Sequence, residues 1–191
     1  SFTDPGQATI LPQVSSGREG YTITGKLDYL VLGNFSNWAV LPARTAGSKD
    51  YSFFLVNLND QGVTKSNPIF SLGLHACPIV DIALDNVSAR IIGEEGHGQK
   101  YFDMTSRIMH VATAAINAGI MRGSLKEAIE YTKEREQGGK AVINWSEVRM
   151  LLANMAIKSK AAELCVTQTC KAIDENLRDW GWISIASTLH V

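Results

Sequence analysis

Up to about residue 95, short apolar runs are separated by Gly, Pro, Asn and Ser; beyond it no proline occurs and apolar residues recur every three or four positions. The first pattern predicts short strands and the second long helices. The runs are Tyr21–Thr24, with Gly25 and Lys26 as a turn, then Leu27–Leu32, Trp38–Ala43, Tyr51–Asn57, Pro78–Leu84 and Val87–Ile92. Strands this short, with turn residues between them, predict an antiparallel sandwich or barrel rather than βαβ units.

From Lys100 to Arg135, the positions Met104, Ile108, Val111, Ala112, Ala115, Ile116, Ile120, Ala128 and Ile129 predict one apolar stripe on a long helix. Ala112, Ala115, Gly119 and Gly123 would let a second helix approach closely. Gly138 and Gly139 supply its stop. A second helix is expected to start at Asn144, with Asn144 and Glu147 spaced as a capping pair. It should break near Asp174–Asn176, before a third helix over Leu177–Val191. The fold class is therefore α+β: an antiparallel β sandwich or barrel over residues 1–96, then an antiparallel helical-bundle segment over 97–191. The chain opens without methionine and closes inside the third predicted helix, which reads as a piece of a longer chain.

Composition narrows the function classes. Of 191 residues, 45% are hydrophobic and 19% charged, with a formal net charge of -1. That balance gives no electrostatic footprint for nucleic acid. The apolar stretch Ile108–Met121 is too short and too polar to span a membrane. Cys77, Cys165 and Cys170 form no CxxC pair, so they read as small buried hydrophobes in a reducing compartment.

Motif chemistry is sparse. Gly93-Glu94-Glu95-Gly96-His97-Gly98 reads as a flexible β-to-α connection rather than a metal site, because adjacent acids diverge where ligands must converge. His75 beside Cys77 reads as a turn residue, and His110 as a helix-face histidine. Arg135 closes a charged helix end, Tyr131-Thr-Lys-Glu-Arg135, which is either a solvated face or a phosphate contact.

Taken in order, several segments form a set: Thr3-Asp4-Pro5-Gly6, Leu72-Gly73, Leu84-Asp85-Asn86-Val87, Ile92–Gly98, Arg107, Ala114–Ile120 and Tyr131–Lys140. This set resembles the acyl-CoA dehydrogenase family along nearly the whole chain. The last segment is similar to the family's Tyr-x-x-x-Arg-x-Gln-Phe-Gly, and the first to its Thr-Glu-Pro-Gly. The resemblance implies a middle β domain at residues 1–96 and the first part of the C-terminal helical bundle at 97–191. It also implies FAD as cofactor and an acyl-CoA thioester as substrate. A carboxylate would remove the α-proton while the β-hydride passes to the flavin.

Carried over residue by residue, Thr3 matches a contact to the flavin ring, and Thr9 a serine near phosphate and substrate groups. Tyr29 matches the aromatic beside the isoalloxazine, and Val31 a Ser or Thr that hydrogen-bonds it; plain strand core is the alternative for both. Arg135 matches the arginine on the FAD pyrophosphate of a neighbouring subunit, with Gln137 beside it. Gly138 stands where the family has phenylalanine, and Gln7-Ala8-Thr9-Ile10 replaces its Ala-Gly-Ser-Asp. No catalytic base is expected within the chain, since Ser106 occupies one family position for it and the other lies later in the bundle. The resemblance further implies an electron-transfer flavoprotein as partner, a homodimer or homotetramer, and a cytoplasmic or mitochondrial-matrix location. Two alternatives share the fold: a non-catalytic assembly subunit, and a flavin monooxygenase-like relative.

Overall fold

A computed structural model describes residues 4–17, 20–73 and 75–175. The chain divides into two compact units, the first ending at Asp103. The third predicted helix lies outside the described residues.

Among the described residues, the first unit holds six strands: β1 (Gln13–Gly17), β2 (Gly20–Val31), β3 (Trp38–Thr45), β4 (Tyr51–Asn57), β5 (Val63–Lys65) and β6 (Ile79–Ile92). Their order is β2-β1-β3-β4-β6-β5, and β2 also pairs with β6. The sheet therefore closes into a barrel-like ring, which leaves few exposed edges for another chain to extend. All pairings are antiparallel except β1 with β3, which is parallel.

The two pairs of runs read as separate strands are two long strands, each bent in its middle. Val80, Ile82 and Leu84 of β6 face the core on even numbers, and Val87 then faces it on an odd number. The change occurs at Asn86, which adopts φ 50° and inserts an extra residue, a β-bulge. Opposite it, the register of β2 slips between Ile23 and Gly25, where Gly25 has φ 143°. The Asn86 N–H donates to the Thr24 hydroxyl at 3.0 Å, tying the two irregularities together. A bulge breaks alternation, so the sequence pattern displays a turn where the chain only bends.

Inside the ring, Phe54, Ile23, Leu41, Val56 and Val80 are fully buried. Alternation along β3 and β4 places Leu41 and Phe54 as cross-strand partners in this core.

The second unit contains most of α1 (Gly98–Glu134), the two-stranded hairpin of β7 (Glu136–Gln137) and β8 (Lys140–Ala141), and α2 (Ser146–Asp174). The sheltered face of α1 runs Val111, Ala114, Ala118, Met121, Leu125, Ala128 and Thr132. That of α2 runs Val148, Leu152, Met155, Ser159, Ala162, Val166 and Thr169. Both repeat with alternating steps of three and four, a heptad spacing. The expected α1 stripe is thus corrected: Met104, Ile108, Ala112, Ala115, Ile116 and Ile120 are exposed, as are Gly119 and Gly123. Apolar residues occur on several faces of α1, so periodicity alone could not choose among them.

The expected Asn144 cap is also corrected. Val142–Asn144 forms a 3₁₀ turn, and Trp145 stands at the cap position of α2 without a side-chain cap bond. Asn144 Oδ1 instead accepts from Arg149 Nη2 at 3.4 Å. Glu147 lies in the first turn of α2 with its carboxyl held below the usual range, first by its own backbone N–H and then by the Ser146 hydroxyl. Among the described residues, no helix is long and apolar enough to cross a membrane.

Phe54 is the largest fully buried side chain. Phe54→Ala should cost about 3–5 kcal/mol of unfolding free energy through lost burial and the cavity left behind, read by urea denaturation.

Candidate functional site

The N-terminal segment starts with a capped turn. Pro5–Gln7 is a short 3₁₀ helix, and Asp4 Oδ1 accepts from the Gly6 N–H at 2.8 Å. The Gln7 N–H donates to the Asp4 carbonyl at 3.0 Å and the Ala8 N–H to that of Pro5 at 3.1 Å. Asp is favoured here because its short carboxylate reaches the free backbone donors of the turn. This segment forms one side of a groove of about 490 Å³, through Asp4, Pro5, Ala8, Ile10 and Leu11.

The C-terminal end of β2 forms the other side, with Leu27, Asp28, Tyr29 and Val31. Tyr29 adopts φ 62°, unusual for an aromatic residue. Asp81 holds it there: Oδ1 accepts the Tyr29 N–H at 2.9 Å, replacing a ladder partner lost at the register shift. The resulting kink presents Tyr29 at 68% exposure and Val31 at 53%. The strand-core alternative for both residues is therefore overturned; they line an open groove. Thr9 is exposed at the bend between two lining residues, Ala8 and Ile10. Thr3 lies outside the described residues.

Arg135, Gln137 and Gly138 belong to the second unit, at the hairpin between α1 and α2. The Arg135 backbone is fixed twice, its N–H donating to Tyr131 O at 2.9 Å and its carbonyl accepting from Val142 N at 2.7 Å. Its side chain is exposed. Gly138 and Gly139 have φ 64° and 78°, the two successive positive values that a tight two-residue hairpin needs. Gln137 O accepts from Trp145 Nε1 at 3.3 Å, and Lys140 Nζ sits 3.8 Å from the Trp145 ring centroid. A Cβ at Gly138 would lie 3.0 Å from Trp145 Cζ2, so the indole occupies the space beside the turn. Trp145 was missed in the sequence because it falls in no motif; only the folded hairpin brings it to Gly138 and under Lys140.

In the connection before α1, Glu95 accepts from the Tyr21 hydroxyl and the Thr45 hydroxyl, both at 3.3 Å, and Glu94 lies 3.5 Å from His97. The Tyr21 hydroxyl is pushed up, first by the Glu95 charge. The Glu95 contacts fasten the loop to the barrel. Among the described residues, no group of three or more His, Cys, Asp and Glu side chains gathers to hold a metal.

The chain matches known proteins over most of its length. Residues 96–188 fit the family model described as acyl-CoA dehydrogenase, C-terminal domain. The probable acyl-CoA dehydrogenase FadE25 of Mycobacterium tuberculosis is 30% identical over 186 residues, covering 94% of this chain. The chain belongs to the acyl-CoA dehydrogenase family. It spans 48% of FadE25, about half the length of the curated relatives it matches. The caffeyl-CoA reductase-Etf complex subunit CarC of Acetobacterium woodii is 29% identical, over 91% of this chain and 48% of its own. A solved FAD complex of PigA superposes with a TM-score of 0.87 at 22% identity, over 98% of this chain and 51% of that one. In acyl-CoA dehydrogenase terms, Ser106 is half-buried on α1 and carries no carboxylate.

Tyr51 lies under the capped turn and is 3% exposed. Its hydroxyl is pushed up to about 12 by burial, then by the charges of Asp4 and Asp103. Above the ordinary tyrosine value of about 10 the unfolded chain releases this proton while the folded chain keeps it. Stability should therefore be full below pH ~10 and fall as pH rises towards 12; Tyr51→Phe should flatten that fall in thermal denaturation between pH 8 and 11.

Proposed function

We propose that this chain is part of an FAD-dependent acyl-CoA dehydrogenase that desaturates an acyl-CoA thioester between its α and β carbons. The observation that carries the reading is the groove: Tyr29 and Val31, some twenty residues from Thr9 in the chain, line the same hollow as Thr9's neighbours Ala8 and Ile10. In the family these positions meet the flavin. The groove fits a flat ring system, since its walls are largely apolar and the kink at Tyr29 presents an aromatic face at the rim.

In this assignment residues 1–96 are the middle β domain and 97–191 the first part of the C-terminal bundle. Thr3, Thr9, Tyr29 and Val31 serve the ring side of the cofactor. Arg135, with Gln137 and Gly138 beside it, serves the pyrophosphate and adenine side of the FAD of a neighbouring subunit. Bound FAD supplies the electron sink for the β-hydride; the chain supplies position and a water-poor wall. Val31 contributes only packing, because it has no hydroxyl. At the hairpin, Arg135 presents a planar donor fork suited to phosphate oxygens. Trp145, held by Gln137 and capped by Lys140, supplies an aromatic face where Gly138 has removed the family's phenylalanine. Ser106 carries no carboxylate and cannot take the α-proton, so it does not serve as the base.

Assembly follows the same logic. Met104, Ile108, Ile116 and Ile120 of α1 and Met150, Leu151, Ile157 and Leu164 of α2 are exposed apolar positions. Such faces suit burial against further bundle helices and neighbouring subunits in a homodimer or homotetramer. An electron-transfer flavoprotein is the acceptor that the family and the relative CarC point to.

The test is the visible spectrum of the purified chain before and after incubation with FAD. Oxidised-flavin bands that survive desalting are the expected result; a colourless protein sinks the reading. Arg135→Ala should weaken FAD binding about 10- to 100-fold, as expected for a lost charge-assisted hydrogen bond, read by flavin fluorescence titration.

A further inference from the structure

Gln99 is the second residue of α1, and no segment of the family resemblance assigns it a role. Its side-chain amide faces two carboxylates at once. Nε2 donates to Asp4 Oδ2 at 3.2 Å and to Asp103 Oδ1 at 2.9 Å. Asp103 lies four residues further along α1, on the same helix face. Asp4 belongs to the capped turn and uses its other oxygen to accept the Gly6 N–H at 2.8 Å. One neutral amide thus links the groove wall to the helix with both of its protons in use. Neither glutamate nor leucine could take its place: glutamate would repel both carboxylates, and leucine would offer no donor.

The packing beneath leaves little slack. The Gly6 Cα points at Gln99, and a Cβ there would lie 2.5 Å from Gln99 Oε1 and 3.5 Å from Tyr51 Cε1. Gly98, the residue before Gln99, also lies against the Tyr51 ring. Turn, helix start and β4 therefore meet around Tyr51, and Gln99 is the polar tie across that junction. The groups that face it are Asp4 from the turn, Asp103 from its own helix and Tyr51 from β4.

We propose that Gln99 is a positioning residue for the groove: by bridging Asp4 and Asp103 it clamps the Asp4–Gln7 turn, whose Asp4 and Pro5 form the wall opposite Tyr29. The proposal rests on the flavin reading of that groove. Gln99 touches no cofactor in this account and acts through Asp4. Releasing the clamp lets the wall drift and lowers cofactor retention while the barrel core stays intact.

The test uses the full chain as wild type, Gln99→Leu and Gln99→Glu. Hydrogen exchange at the Gly6 and Ala8 amides reads the clamp, and fluorescence titration with FAD reads the groove. In Gln99→Leu, exchange at Gly6 should quicken about tenfold and FAD should bind about tenfold more weakly, with the thermal transition nearly unchanged. In Gln99→Glu, the same loosening should appear at pH 7. It should reverse towards pH ~4, where a protonated side chain can donate again, each variant being compared with wild type at the same pH. A purely steric role for Gln99 would show no such reversal. Exchange at Gly6 unchanged in both variants overturns the clamp. Faster exchange with unaltered FAD affinity overturns the positioning role. A wild-type chain that takes up no FAD overturns the flavin reading and the positioning role with it, and the exchange data then report separately on whether the bridge itself exists.

Discussion

β6 is paired along both of its edges, and most of the first unit depends on this. β2 runs along one side, while β5 and then β4 share the other. A strand held on both sides cannot slide without breaking two ladders, so the register of the ring is fixed from its centre. The bulge at Asn86 is what makes the double pairing possible. It turns the second half of β6 towards β4 while the first half stays with β5, and the matching slip in β2 lets that strand follow. Closure of the ring and orientation of the groove are consequences of this bend.

The groove inherits its shape from a second irregularity in the same pair of strands. Between Leu27 and Leu30 the β2–β6 register shifts again, and Tyr29 leaves the ladder with a positive φ. Asp81 of β6 receives its N–H, so an acidic residue within the barrel wall stabilises the conformation that lifts an aromatic ring to the rim. On the opposite wall, Asp4 has the equivalent task for the Pro5–Gln7 turn. Two carboxylates, each satisfied by backbone donors, thus shape a largely apolar hollow. Strained backbone concentrated at a candidate site is a common arrangement, because a site needs geometry that regular ladders do not provide.

The second unit rests on a different principle. Its helices shelter long, narrow faces of small and medium side chains, and they leave other apolar positions to the outside. The hairpin between them is rigid for local reasons: two glycines turn the chain, and Trp145 is fixed by the Gln137 carbonyl and by Lys140. That rigidity holds the backbone of Arg135 in place while its side chain stays exposed, a suitable arrangement for an anion contact.

The sequence by itself determined the fold class, the change from strands to helices, most strand positions and the family, since alternation, helical spacing and an ordered set of short segments are local properties. It did not show that Tyr21–Thr24 and Leu27–Leu32 are one strand, because a bulge and a turn look alike when only alternation is read. Nor did it show which face of α1 is sheltered, because several faces carry apolar residues and only neighbouring helices choose between them. Tyr29 and Val31 were legible as candidates, but their exposure was decided by the Asp81 contact, 52 residues away in the chain. Gln99 and Trp145 were not legible at all. Their partners, Asp4 and the Gly138 turn, become partners only through folding, and hydrogen bonds and ring packing depend on distances that a linear sequence does not record.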